Sequence, residues 1–175
     1  DINLISAVFH SNSGGSTINS EDLWVRQVPY LRAVKDTFSV CQPHYDWNVA
    51  VHQDTYLGYF AKAYGIDTSN TDIRNSILNY CPAERYPYYF PETQQVPLRK
   101  MRTDFKLRST YFCTGISADS VILVGRGFGH GVGLSQEGAM LMAKLGYDYT
   151  QILHHYYQNI HLIKLSVIDF FREED

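Results

Sequence analysis

Gly125-Arg-Gly-Phe-Gly-His-Gly-Val-Gly-Leu-Ser-Gln136 is the stretch on which the reading of this chain turns. Its glycines, at 125, 127, 129, 131 and 133, recur at every second position. An extended backbone sends alternate side chains to opposite faces. If the run is extended, all five glycines share one face, while Arg126, Phe128, His130, Val132 and Leu134 share the other. A face without Cβ atoms admits close approach by another backbone or a flat ligand, at a cost in conformational entropy. Spacing alone leaves two readings open: bulges and tight packing, or one wall of a ligand site.

Spacing does narrow the chemistry. A dinucleotide fingerprint needs glycines at the first, third and sixth motif positions, and no such triplet occurs from Gly125 to Gly138. The Gly-Lys-Ser/Thr of a phosphate-binding loop is also absent from the run. Gly133-Leu-Ser-Gln-Glu-Gly138 approaches the nucleophile elbow of α/β-hydrolases, but its second glycine comes one residue late. Ser135 therefore reads as a helix N-cap before it reads as a nucleophile. A serine hydrolase with His130 as its base is the weaker alternative.

Working outward, Ser135 to Leu145 reads as a helix closed by Gly146. A second helix starts at Asp148, with Gln151 placed to complete a capping box and Ile152, Leu153, Tyr156 and Tyr157 as its buried stripe. Ile160 to Ile168 reads as a final strand. Ahead of the run, Phe105 to Phe112 and Ser120 to Gly125 have strand patterning. Ala83 to Pro97, rich in Pro and Tyr, reads as an extended surface loop. Asp46 to His52 is a predicted strand and Asp54 to Tyr64 a predicted helix, capped by Asp54 and stopped by Gly65. Asp72 to Tyr80 is a predicted helix ending before Pro82. Ile2 to His10 reads as a strand ending in the turn-forming Ser11 to Ser16, and Glu21 to Val34 as short helical pieces interrupted by Pro29. These elements make one α+β domain, or the larger lobe of one.

Composition bounds the partners. At 175 residues, 45% hydrophobic and 19% charged, the chain has the length and make-up of one folded domain. A net charge of -3 gives no basic surface for nucleic acid. The 14 tyrosines suit half-buried packing and sugar contact alike. No apolar run reaches the length of a membrane span. Cys41, Cys81 and Cys113 are odd in number and lack CxxC spacing, which argues against a disulfide framework and leaves open one bridge plus a free thiol. The chain opens on Asp1-Ile-Asn-Leu-Ile, inside a strand-like run, so a segment preceding it is expected.

From Gly125 to Ala139 the sequence resembles the signature of the stage II sporulation protein D family, which includes amidase enhancers. The resemblance continues through Met142-Ala143, Gly146-Tyr147 and Gln151 to Tyr157. Near the start, Phe9-His-Ser-Asn-Ser-Gly-Gly15 is similar to the family's His-Ser-x-x-Gly-Gly segment, followed by Trp24 and Pro29-Tyr-Leu31. Arg102, Phe105, Leu107, Arg108, Ser109 and Phe112 are similar to the strand pair ahead of the run. Gln53 to Pro97 carries the least of the resemblance.

The resemblance implies peptidoglycan glycan strands as the ligand and an extracytoplasmic, cell-envelope location. It further implies either lytic transglycosylase activity on strands lacking peptide stems or assistance to a cell-wall amidase. Such cleavage needs a group to protonate the glycosidic oxygen and then to draw the 6-hydroxyl into a 1,6-anhydro ring. In the family that group is a glutamate upstream of the His-Ser-x-x-Gly-Gly element, near an Ala-Arg-Thr-Tyr-like helix, and no such segment occurs in these 175 residues. The general acid/base is therefore expected outside this chain.

Within the chain, His130, Ser135 and Gln136 are candidate supporting residues for catalysis. Flanking glycines leave His130 little side-chain mass to bury it, so it is expected in a groove, steadying a carboxylate or a sugar hydroxyl. His10, Ser11, Ser13, Gly14, Gly15, Arg126, Gly129 and Gly131 are candidate substrate-binding residues, with Arg126 able to meet a muramyl carboxylate. No cofactor and no resident metal are expected. Cys41 and His44, with His10, make only a loose trio where a structural zinc wants four clustered ligands. Adjacent His154 and His155 point apart on a helix and read as core and rim.

Overall fold

The computed structural model describes residues 3–24, 26–89 and 94–164. In chain order its elements are β1 (Phe9–His10), α1 (Ser20–Leu23), a 3₁₀ turn (Thr37–Ser39), β2 (Asp46–His52), α2 (Gln53–Tyr64) and α3 (Thr71–Leu78). There follow β3 (Tyr88–Tyr89), β4 (Val96–Pro97), α4 (Leu98–Asp104), β5 (Phe112–Ser117), β6 (Ser120–Arg126), β7 (Leu134–Ser135), α5 (Gln136–Lys144) and α6 (Tyr149–Tyr156). The class is α+β.

The main sheet is antiparallel, with β6 between β2 and β5. Asp46 lies opposite Arg126 and His52 opposite Ser120, so β2 delivers the chain alongside the start of the glycine run. Alternation puts Val121, Leu123 and Gly125 of β6 on the covered face and leaves Val124 exposed. The Trp47 ring occupies the space where a Gly125 side chain would stand: an added Cβ would lie 2.0 Å from it. Leu57 and Phe60 of α2, Ile77 and Leu78 of α3, and Leu98 and Met101 of α4 complete this core. A second core joins Ile18 and Leu31 to Val132 of the run, Met142 of α5, and Tyr156, Tyr157 and Ile160.

The helix ends follow local chemistry. His52 caps α2 by accepting the Asp54 N–H, so Asp54 sits in the first turn rather than at the expected cap. Gly65 stops that helix in the left-handed region, at φ 66°. Asn70 caps α3, Ser135 caps α5, and Asp148 with Gln151 forms the capping box of α6.

Several predicted elements are corrected. Of the strand expected over Ile2 to His10, only Phe9–His10 pairs among the described residues, because its partner β7 offers a two-residue parallel edge. Phe105 to Phe112 is not a strand: α4 occupies Leu98–Asp104, Lys106 turns the backbone at φ 54°, and the strand starts at Phe112. Ala83 to Pro97 is not a surface loop throughout. Arg85 is buried, and β3 pairs with β4 so that Tyr89 and Val96 are fully buried. The Tyr89 ring stacks on Tyr80 at 3.9 Å and its hydroxyl donates to the Ile77 carbonyl, a pairing that composition does not reveal. Residues 160–164 have no regular structure, and 165–168 of that predicted strand lie outside the described residues. Cys81 and Cys113 form a disulfide and Cys41 is an exposed free thiol, the one-bridge alternative of the sequence reading.

Candidate functional site

The glycine run is clasped by its own chain. Gly127 and Gly129 donate their N–H groups to the carbonyls of Tyr45 (2.6 Å) and Arg108 (2.9 Å). On the opposite side, Asn12 and Phe128 exchange backbone hydrogen bonds at 3.1 and 2.9 Å, Leu134 donates to Val8, and Ile18 donates to Gly131. A Cβ on Gly127 would lie 2.8 Å from the Asn12 oxygen, and one on Gly133 2.2 Å from the Val8 oxygen. Both glycines also have positive φ, so the run is not a regular extended strand. Of the two readings of the alternation, the structure contains tight packing: Gly127, Gly129 and Gly133 receive residues 8–14 of the same chain, Gly125 the Trp47 ring and Gly131 the Arg85 guanidinium.

That packing brings the two signature segments together. His10 is in register with Ser135. The rings of His10 and His130 lie 5.4 Å apart, and Trp24 lies 5.6 Å from His130. Ser11 accepts the Glu137 N–H through its carbonyl, and Gly14 packs on the Arg126 backbone. Ser13 is fully buried and donates to Asp36 Oδ2 at 2.8 Å. Gly15 donates to Ser39 Oγ at 3.0 Å, and Gly131 packs on the Arg85 guanidinium. Ser11, Arg126, Gly129 and His130 are half-buried, while Gln136 is exposed. The Arg126 guanidinium lies over the Tyr111 ring at 4.2 Å.

The histidines are held by backbone. His130 Nδ1 accepts the Val132 N–H at 3.1 Å, and its ring also meets the Phe9 backbone. Burial, then the charges of Arg102 and Arg85, hold its pKa below the ordinary histidine value despite that backbone contact. Burial and the neighbouring Arg85 push His10 down to about 3, so this imidazole is neutral, and its Nδ1–H donates to the Val132 carbonyl at 3.1 Å. Ser135 is fully buried, and its Oγ accepts the Gly138 N–H at 3.3 Å.

The sequence reading gave no role to Glu137, which organises the other side of the run. This carboxylate is 5% exposed. It accepts from Asn12 Nδ2 (2.7 Å), the His44 N–H (3.2 Å) and His44 Nδ1 (2.6 Å). Burial alone would raise its pKa, but the hydrogen bonds from Asn12 and His44 outweigh it and hold the carboxyl below its ordinary value. A carboxylate following a glycine run and a cap was the one available signal for it. Asp36 is equally buried and accepts from Ser13 and, at 3.0 Å, from Tyr156. With His44 on Glu137, His10 on Val132 and Cys41 exposed, the loose trio is not assembled. Among the described residues no group of three or more His, Cys, Asp or Glu is placed to hold a metal ion. Among them, too, no helix is long and apolar enough to cross a membrane.

No family model matches the chain. It is 31% identical to stage II sporulation protein D of Bacillus amyloliquefaciens, over 89% of this chain and 44% of that protein. It is 30% identical to stage II sporulation protein D of Bacillus subtilis, over 88% of this chain and 44% of that protein. The amidase enhancer of Bacillus subtilis is 24% identical over 88% of this chain and 29% of that protein. The chain thus spans less than half the length of these relatives. Similarity across most of its own length, joined to two signature segments that pack on one another, shows that the chain belongs to the stage II sporulation protein D family.

Proposed function

We propose that this chain contacts glycan strands of the bacterial cell wall and contributes one side of the site at which a longer protein cleaves them. The observation that carries the reading is the seating of Phe9–Gly15 against the glycine run, which brings His10 to Gly129, His130 and Ser135 and sets Gly14 on the Arg126 backbone. The reaction fitting the family is lytic transglycosylation of peptide-free strands, with the general acid/base glutamate outside these 175 residues. His130, Ser135 and Gln136 then support the site rather than break bonds, while Ser13, Gly14, Gly15 and Gly131 shape its floor. The Cys81–Cys113 disulfide supports an extracytoplasmic, cell-envelope location, since such bridges persist in oxidising compartments.

Cosedimentation with purified sacculi and with amidase-stripped glycan strands tests binding by the 175-residue chain. Incubating the longer natural protein with the same strands tests cleavage. Retention with the strands and release of 1,6-anhydro products by the longer protein are expected. Absence of both would remove the reading. A second reading, a non-catalytic wall-binding module that assists an amidase, is favoured by the similarity to an amidase enhancer. It predicts retention without anhydro products, and stimulation of a cell-wall amidase instead.

A further inference from the structure

Arg85 and Arg102, beside the imidazoles of His10 and His130, carry two positive charges with no acid to answer them. Arg85 is 8% exposed and its guanidinium lies against Gly131, where an added Cβ would fall 2.1 Å from Nη1. Its Nη1 donates to the carbonyls of Ser13 (3.0 Å) and Ser16 (3.3 Å), but Nε and Nη2 have no partner. His10, 4% exposed, spends Nδ1 on the Val132 carbonyl and leaves Nε2 unpartnered. Arg102 is half-buried, with Nε donating to the Leu107 carbonyl at 3.3 Å. The two guanidinium charges act on each other and on both imidazoles. Among the described residues, neither arginine forms an ion pair with Asp or Glu.

A buried guanidinium with idle N–H groups and no counter-charge is disfavoured unless something outside the fold completes it. The planar fork of arginine matches the two oxygens of a carboxylate. Trp24, in ring contact with His130, adds a flat apolar surface of the kind a sugar ring packs on. We infer that Arg85 and Arg102 form a subsite for the free carboxylate of a sugar acid, with His10 and His130 beside it and Trp24 against the sugar. This inference rests on the glycan reading above and deepens it. In wall glycan the sugar acid has a free carboxylate only where no peptide is attached; an attached peptide converts it to an amide. The unanswered arginines then select strands by charge, accepting the acid and disfavouring the amide.

The test uses the 175-residue chain, N-acetylmuramic acid and its carboxamide, followed through the histidine ring resonances. The acid is expected to shift the His10 and His130 signals and to bind about tenfold more tightly than the amide, the loss of one charge-assisted contact. Arg102→Gln, at a half-buried position, is expected to abolish that preference while keeping the fold, and Arg85→Lys to retain part of it. Equal binding of acid and amide, or an unchanged preference in Arg102→Gln, overturns the subsite. The two readings fail separately. If stripped strands still sediment with the chain while acid and amide are indistinguishable, the carboxylate inference falls and the glycan reading stands. If the acid binds here but strands do not, the glycan reading falls and the subsite stands.

Discussion

Glu137 Oε1 and His44 Nδ1 stand 2.6 Å apart and couple the first turn of α5 to the loop before β2. An ionised carboxylate only accepts, so His44 Nδ1 carries a proton and donates to it. The other carboxylate oxygen receives Asn12 Nδ2, which also donates to the Ser39 carbonyl at 2.8 Å, while Asn12 Oδ1 accepts the Gly14 N–H at 2.8 Å. One buried amide and one buried carboxylate thus tie together segments 125 and 93 residues apart in sequence. These pairings hold the His-Ser-Asn-Ser-Gly-Gly segment in the shape that the glycine run receives.

Replacing Glu137 with Gln should lower stability near neutral pH by about 1.5–3 kcal/mol, the range for hydrogen bonds to a charged group. The pH dependence has a definite sign. The folded-state pKa of Glu137 lies below its ordinary value of 4.5, so in the acid range the unfolded chain binds more protons. Its stabilisation is complete above about pH 4.5 and is lost as pH falls through the lower folded value. Thermal melts of the wild-type chain and Glu137→Gln should therefore converge as pH drops below that point. Parallel melting curves across the acid range would show that the carboxylate contributes no charge-dependent stability.

Gly133→Ala should destabilise the fold by more than about 3 kcal/mol, combining a positive φ with a Cβ placed 2.2 Å from the Val8 oxygen. That oxygen cannot retreat cheaply, since it accepts both the Leu134 N–H (3.1 Å) and the Tyr157 hydroxyl (2.8 Å). Gly58, inside α2 with nothing within 4 Å of an added Cβ, is the contrast. Gly58→Ala should raise stability by about 0.5–1 kcal/mol through helix propensity alone. Urea titrations of the two variants give both signs, and a mild effect at Gly133 would refute the clasped arrangement of the run.

What the sequence made legible, and what it hid, follows from the range of the forces involved. β2, the stop at Gly65, the Ser135 cap and the Asp148–Gln151 box rest on neighbours a few residues apart, and each is readable in place. The alternating glycines announced close approach, but their sequence could not say that Val8, His10, Asn12 and Gly14 would fill the space. Arg85 lay in a stretch whose Pro and Tyr content suggested surface. It is buried because carbonyls of Ser13 and Ser16, far along the chain, receive its guanidinium. Glu137 was hidden likewise, since its partners at residues 12 and 44 become neighbours only in the fold. Phe105 to Phe112 misled for a local reason: its apolar residues serve irregular backbone after the Lys106 turn.

Reduction of the Cys81–Cys113 bridge should cost about 3–4 kcal/mol, from the entropy of opening a loop of 32 residues in the unfolded chain. The bridge fastens the segment after α3 to β5, beside the stack of half-buried Tyr80 on buried Tyr89. A chain with Cys81→Ala and Cys113→Ala should melt lower than wild type by a similar free energy. Thiol titration of the unreduced, denatured chain should count Cys41 alone. A count of three would place the bridge in doubt.

Ser135→Ala should lower stability by about 1 kcal/mol, the usual cost of losing a serine N-cap, and Ser135→Thr should recover part of it. The reason is geometric. Ser135 is fully buried, and its Oγ accepts the Gly138 N–H at the start of α5. A serine nucleophile instead needs an exposed oxygen with a base in hydrogen-bond reach. His130, the base suggested by the sequence, has Nδ1 occupied by the Val132 N–H and its ring in contact with the Phe9 backbone. A fluorophosphonate probe should consequently leave Ser135 unlabelled, as read by mass spectrometry of the digested chain. Labelling there would reverse the assignment, making Ser135 a nucleophile whose capping geometry opens during reaction.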